Sequence, residues 1–342
     1  MILSLFAVLS CTKVQHTSLR VNVFPNIEGG RSDTKGVITS TNFLSGNTFG
    51  QFVYHAEDGQ ALTQFNSYGS RYENINATKE SATVWSYTLN GSSSSFRNFF
   101  LINPSADNQG ELAICAYAPY IKGASRIDKV PFTIGGKHSE ISDLMWAEQN
   151  SGSSNLQISP NGNNVDIELY FKHALSMIKL QMKCLHSGST MRLSSVRIVS
   201  KGQTPLYGGG SFNAVNGTFN AEDMKEVVSV EFSGEKKEAY MFDSSMYKEF
   251  PILIVPTEYM QNGDYEIVFT FNDNTLKASY AIQKNDVKVT KEVDGVDVDC
   301  FAFEQGKVYT FKFDFDNYAQ ITNVKVAPEG EWGLGGKFDL EF

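Results

Sequence analysis

The residues of this chain that could do chemistry are few and scattered. Five histidines (His16, His55, His138, His173 and His186) show no HExxH or paired spacing, the pattern that brings two imidazoles to one metal ion. Asp294, Asp297 and Asp299 in "DGVDVD" could touch a cation. Their order lacks the ligand pattern of a calcium loop, and a solvated hairpin is the plainer reading. "GGGSF" places Ser211 after three glycines, which suits a flexible loop better than the tight strand-to-helix turn of a serine nucleophile. His173, inside "FKHAL", could act as a ligand, but a histidine at a strand break satisfied by backbone is the simpler account. Paired glycosidase carboxylates are defined by separation in space, so spacing along the chain cannot reveal them. No phosphate-binding glycine loop follows a strand. The expectation is a protein without cofactor or metal and without enzymatic activity.

The cysteines carry a different chemistry. "MILSLFAVLSC" is apolar from Met1 to Leu9, small at Ser10, and then reaches Cys11. About ten apolar residues are too few to cross a bilayer as a helix but match the apolar region of a signal peptide. "VLSC" resembles a lipobox, whose cysteine is lipidated and becomes the N-terminus after cleavage, so Cys11 is the expected lipidation site. No Lys or Arg precedes the run and Leu9 is bulky; a start upstream of Met1 would supply the charge, and a buried first strand is the alternative. Cys115, Cys184 and Cys300 remain. At most one pair can form among three, and three buried small hydrophobes fit as well.

The elements that would position these residues are strands. The chain has 342 residues, 41% hydrophobic, with 25 Phe, 15 Tyr, 3 Trp and 28 Gly, a composition that favours short strands and turns over helices. Its formal charge of −9 is the wrong sign for phosphate backbones, so nucleic acid is not an expected partner. In "VDIELYFKHALSMIKLQMK" the apolar residues Val165, Ile167, Leu169 and Phe171 lie on odd positions, and Ile178, Leu180 and Met182 on even ones. A period of two that changes phase predicts two strand segments with a break between His173 and Met177. "ELAICAYAPY" reads as a strand buried on both faces, and Asn90-Gly91 as a hairpin turn. Turn signals recur about every ten residues, as in β-sandwiches. The chain divides into a signal-like segment 1–11, a tether and first-strand region 12–35 with a strand candidate at Val21–Phe24, and two β domains, 36–183 and 184–342. The boundary falls after Lys183 in "CLHSGST", with "SGSSNLQISPNGNN" a near equal.

Several segments together resemble the fimbrillin-like family of Bacteroidales surface lipoproteins. They are "SDTKGVI", "FLSGNTFGQFVY", "GELAICAYAPY", "SDLMWAEQ", "FKHALSMIKLQMK", "PILIVPTE", "FEQGKVYTFKF" and "ITNVKVAPEGEW", which run in the family's order from about Cys11 to Trp332. The resemblance implies an all-β chain of two stacked β-sandwich domains of transthyretin-like type, exported as a lipoprotein to the outer membrane, cell surface or fimbrium. It also implies strand donation: a protease removes the N-terminal segment after a basic residue, and a strand of another subunit fills the groove. Arg20, before "VNVF", and Arg31, in "GGRSD", are the candidate processing positions. The candidate donor is the tail 333–342, where Phe338, Leu340 and Phe342 alternate behind Gly333, Gly335 and Gly336; an ordinary last strand of its own domain is the alternative.

The expected function is therefore a surface lipoprotein acting as fimbrial subunit or adhesin. Its partners would be itself or other subunits, host or bacterial surface glycans or proteins, and the membrane through the lipid. The alternative is a glycan-binding outer-membrane lipoprotein of a polysaccharide-uptake system, which needs exposed aromatic platforms; Trp85, Trp146 and Trp332 are the candidates, although core burial is the plainer account of each. A secreted hydrolase would need carboxylates clustered in a cleft.

Overall fold

Alternation of apolar and polar residues becomes strand wherever a turn residue lets the chain reverse. Gly46, Gly91 and Gly263 hold positive φ angles of 89°, 74° and 78°, a region closed to most side chains. The computed structural model describes Ser18 to Glu331, apart from residues 28–42, 57–65, 68–69, 82, 98, 103–110, 135–142, 150–155, 158–163, 187–188, 190, 202–204, 226, 232–245, 258, 273–274 and 294–295. Among the described residues the chain is strand, with helical structure confined to 3-10 turns such as Ile127–Lys129 and Lys284–Val287.

The first sheet has eleven strands. Its order is β6 (Ser95–Phe96), β5 (Trp85–Thr88), β4 (Ile75–Lys79), β2 (Thr48–Ala56), β8 (Glu111–Ala118), β10 (Met145–Gln149), β12 (Asn164–His173), β1 (Ser18–Ile27) and β7 (Phe99–Ile102), with β3 (Asn66–Ser67) on β2 and β11 (Leu156–Gln157) on β8. The two ends of this order, β6 and β7, are three residues apart in sequence, so they lie within about 11 Å of each other. The sheet therefore folds back on itself into two layers. A ring cluster fills the space between them: Phe49 on β2 lies 5.4 Å from Phe171 on β12 and 4.9 Å from Trp85 on β5. Such edge-to-face pairs add about 0.5–1.5 kcal/mol each beyond their buried area.

The second half holds two four-stranded sheets. One is ordered β18 (Lys248–Ile254), β13 (Ser176–Cys184), β23 (Lys307–Phe315), β24 (Ile321–Glu331); the other β17 (Val227–Glu231), β14 (Leu193–Ser200), β19 (Tyr265–Phe271), β20 (Leu276–Ala281). Phe269 and Phe271 meet Phe313 and Phe315 between them, at 4.8 to 5.3 Å. A three-stranded sheet, β16 (Thr218–Lys225), β15 (Leu206–Asn213) and β9 (Val130–Thr133), and a hairpin, β21 (Lys288–Val293) with β22 (Val296–Phe301), complete the described strands.

The predicted phase change is a change of sheet. β12 buries Ile167, Leu169 and Phe171, and β13 buries Ile178, Leu180 and Met182. Between them Ala174 and Leu175 carry the chain from the eleven-stranded sheet into the next one. The two-faced burial predicted for "ELAICAYAPY" has a cause as well. Ile114, Ala116 and Ala118 on β8 belong to the first core, whereas Cys115 and Tyr117 belong to the second core, with Leu180, Phe269 and Phe313. Strands β2, β8 and β10 therefore form a middle layer wet on neither face, and apolar residues at consecutive positions are what such a layer requires.

The closest fit in that layer is at Gly50. A methyl group there would stand 2.4 Å from Cζ of Tyr117. Tyr117 cannot move aside, because its buried hydroxyl donates to Asn74 Oδ1 at 2.6 Å and accepts from the Ile121 amide at 3.3 Å. The variant Gly50→Ala should lose about 1–3 kcal/mol of stability through overpacking, read as a lowered urea midpoint. An unchanged midpoint would show that the layer has slack that the geometry denies.

Candidate functional site

The feature that can act is the seat of β1. This strand pairs in parallel with β12 over eight positions, from Arg20↔Asn164 to Ile27↔Phe171. On its other side it pairs antiparallel with β7 over four, from Ser18↔Ile102 to Val21↔Phe99. Paired residues of parallel neighbours face the same way, so Val23 and Pro25 stand beside Ile167 and Leu169, on the buried face of β12. Val23 is 6% exposed and joins the first core. Its carbonyl accepts from the Tyr87 hydroxyl at 3.5 Å, a contact from β5 in the opposite layer. Burial raises the Tyr87 hydroxyl above its usual range, so it remains a donor. Among the described residues β1 is the sole strand partner of β7. Removing β1 would open a groove with the edge of β12 on one side and β7 on the other, lined by unpaired backbone groups and apolar side chains.

The sequence-predicted residues fall around this seat unevenly. Arg20 lies within β1, its backbone paired with both Asn164 and Phe100. Cys11, Arg31, Trp332, Asp294 and the tail with Phe338, Leu340 and Phe342 lie outside the described residues. Trp85 and Trp146 are each 8% exposed and belong to different cores, so they do not form an exposed pair on which a sugar could stack. Cys115 and Cys184 are buried and free, and burial pushes the Cys115 thiol up to about 12. Asp299 sits on the predicted hairpin, held by Lys288 at 2.7 Å and by Thr290 at 3.0 Å, which keeps its carboxyl below the usual range.

His173 differs from the backbone-satisfied residue expected. Its Nδ1 lies 2.9 Å from Oδ2 of Asp143, with side chains 2% and 0% exposed. Asp143 stands just before β10, and Leu144 accepts a hydrogen bond at 2.8 Å from the Ala174 amide. The pair thus fastens the end of β12 at the crossing between sheets. Asp143 lay in plain view in "SDLMWAEQ", but a polar residue before a strand ordinarily signals a turn, and its burial depends on the second half packing over it.

A second polar group lies on the face of β13 and β23. Asp314 accepts from the Tyr247 hydroxyl at 2.5 Å and from Asn323 at 3.0 Å, and Lys312 and Lys183 lie over the Tyr247 ring at 3.9 and 4.7 Å. Burial opposes ionisation of Asp314, but those donors and the two lysines hold its carboxyl below the usual range. The groups satisfy one another and leave no nucleophile poised for reaction.

A sequence model described as fimbrillin-like matches residues 37–329 of the chain. No curated protein matches it. Among solved structures, a candidate cell adhesion protein of Bacteroides ovatus is similar at a TM-score of 0.55 and 17% identity, covering 92% of this chain and 97% of that one. A second, from Bacteroides uniformis, is similar at 0.52 and 12%, again covering 92% and 97%. At these identities the likeness is one of fold.

The buried pair predicts a non-additive stability cycle. Asp143→Leu or His173→Leu alone should cost about 3–5 kcal/mol, because each leaves a buried polar group without its partner. The double variant should recover much of that loss, since an apolar pair needs no compensation. Urea unfolding of the four proteins measures it, and strict additivity would mean the two side chains do not depend on each other.

Proposed function

This chain belongs to the fimbrillin-like family, and from that premise we propose that it is an exported, lipid-anchored subunit of a fimbria or adhesin, assembled by exchange of β1 for a strand of another subunit. The observation that supports this reading is the position of β1, which is held in the sheet mainly through backbone pairing with β12 and β7. Backbone bonds do not read sequence, so a second strand of suitable alternation can make them again. The incoming strand would run parallel to β12 and antiparallel to β7. In the tail, Phe338, Leu340 and Phe342 carry the period of two that one buried face requires. Cys11 would receive the lipid and hold the unprocessed chain at the outer membrane. The partners are other copies or other subunits, and the work is mechanical and adhesive rather than catalytic.

The strand boundaries separate the two processing candidates. A cut after Arg20 would fall inside the paired strand and leave Val21–Ile27 in the groove. A cut after Arg31 would release the whole of β1, Ser18–Ile27. We therefore take Arg31 as the position whose processing would empty the seat. Brief treatment of the native chain with an arginine-specific protease, with intact-mass analysis and unboiled gels, tests this. We expect a new N-terminus at Ser32 together with a ladder of polymers. Arg31→Ala should abolish both, and Arg20→Ala should leave both in place. Polymers from uncut chain, or from a chain cut at Arg20 alone, would overturn the reading.

A further inference from the structure

We propose that the open edge of β9 is a second docking site, and that its occupant is the C-terminal tail of another copy of this chain. The contact is separate from strand exchange, because the groove stands open while β1 is in its place.

β9 is the end strand of its three-stranded sheet and pairs with β15 alone among the described residues. Just past it, the Ile134 amide donates to the Gly208 carbonyl at 2.8 Å. The backbone groups of an antiparallel strand face a given neighbour at every second residue. Ile134, Phe132 and Val130 therefore turn theirs toward β15, and Thr133 and Pro131 turn theirs outward. Proline at 131 fits this phase, since its missing N–H falls on the unpaired side. The Thr133 N–H and the carbonyls of Pro131 and Thr133 are left to pair with a further strand.

A cavity of about 260 Å³ lies along that edge. Its walls include Pro119, Ile121, Phe132, Ile134, Leu144 and Leu175, an apolar set gathered where β8 ends, β10 begins and the chain crosses between sheets. The volume is below the roughly 300–1,000 Å³ of sites that enclose a drug-sized molecule. It suits one or two apolar side chains carried on an extended backbone. Unpaired edge groups beside an apolar pocket are the two parts of strand addition: the main chain supplies affinity and the pocket supplies selectivity. The rim is basic. Lys122 follows Ile121 of the wall, Lys129 ends the turn that leads into β9, and both are exposed. The carboxylate between them in sequence, Asp128, is held by Arg126 at 2.8 Å. On a chain of net charge −9, such a rim favours an acidic segment.

Residues 332–342 lie outside the described residues, and their sequence has this chemistry. Phe338, Leu340 and Phe342 alternate with Lys337, Asp339 and Glu341. As a fourth strand beside β9, this segment would turn its apolar residues into the cavity. Its carboxylates would then point to the exposed side, where Pro131 and Thr133 stand. Tail and groove are different surfaces, so the contact is heterologous and can add copies without closing.

Fluorescence anisotropy of a labelled peptide of residues 333–342 with the intact, uncut chain tests the site. Sedimentation velocity of the same chain tests the partner. We expect saturable binding, weakened about fivefold in Thr133→Pro, which removes one outward N–H and no native hydrogen bond, and unchanged in Thr133→Ser. A peptide carrying Asp339→Lys and Glu341→Lys should bind more weakly, most clearly at low salt. The average mass of the uncut chain should rise with concentration, and excess peptide should reverse the rise. No binding, or binding that both Thr133→Pro and the charge-reversed peptide leave unaltered, would overturn the site. Binding by a chain that stays monomeric at every concentration would overturn the second copy as occupant. Polymers formed after cleavage, with no peptide bound by the uncut chain, would leave strand exchange standing and remove this site. Peptide binding without such polymers would do the reverse.

Discussion

The structure depends on a strand, β7, whose one strand partner among the described residues is β1. β1 joins β7 to the rest of the eleven-stranded sheet, so it is an interior strand rather than a decoration on an edge. Eight backbone positions on β12 and four on β7 would otherwise face solvent or the core unpaired, and buried backbone groups are rarely left so. The first sandwich therefore cannot be whole without some strand in that place. It does not follow that the strand must be its own.

Of the two walls of the seat, β12 is anchored elsewhere, whereas β7 has no other strand partner among the described residues. β12 continues through Ala174 and Leu175 into β13, which is paired on both sides by β18 and β23. The Asp143–His173 pair and the Ala174–Leu144 hydrogen bond hold the end of β12 to the start of β10. Behind them, β2, β8 and β10 are committed to both cores at once. Trp146 extends that commitment, packing against Gly217, where an added methyl would meet its indole nitrogen at 2.6 Å. Loss of β1 would take from β7 its one described strand partner, while β12 and the shared layer would keep their other pairings.

Much of this was legible in the sequence, for reasons that are local. A strand declares itself by alternation, so the phase change in "VDIELYFKHALSMIKLQMK" located a break within two residues of the crossing at Ala174–Leu175. The unbroken apolar run before Pro119 announced a layer buried on both faces, and β8 is that layer. Asn90-Gly91 marked the turn between β5 and β6. What stayed hidden is long-range. Nothing near Val23 says that its parallel partner is Ile167, because parallel neighbours are joined by distant crossovers rather than hairpins. His173 and Asp143 are each ordinary in their own segment and become a buried pair through the fold. Gln51 in "FGQFVYHA" looks like the polar half of an alternation, yet both faces of β2 are buried, and the amide is stranded by tertiary packing.

The covalent connection bears on the strand-exchange proposal. β1 is joined to β2 through the residues between Ile27 and Thr48, and a strand joined to its own groove has an effective concentration in the millimolar range when the connection is short. Under that proposal, a donor arriving from solution would have to compete against that figure. A cut after Arg31 would remove the connection and leave β1 on a separate segment, held only by its pairing with β12 and β7. The competition would then turn on how well each strand fits those two edges, because the advantage of being tethered would be gone.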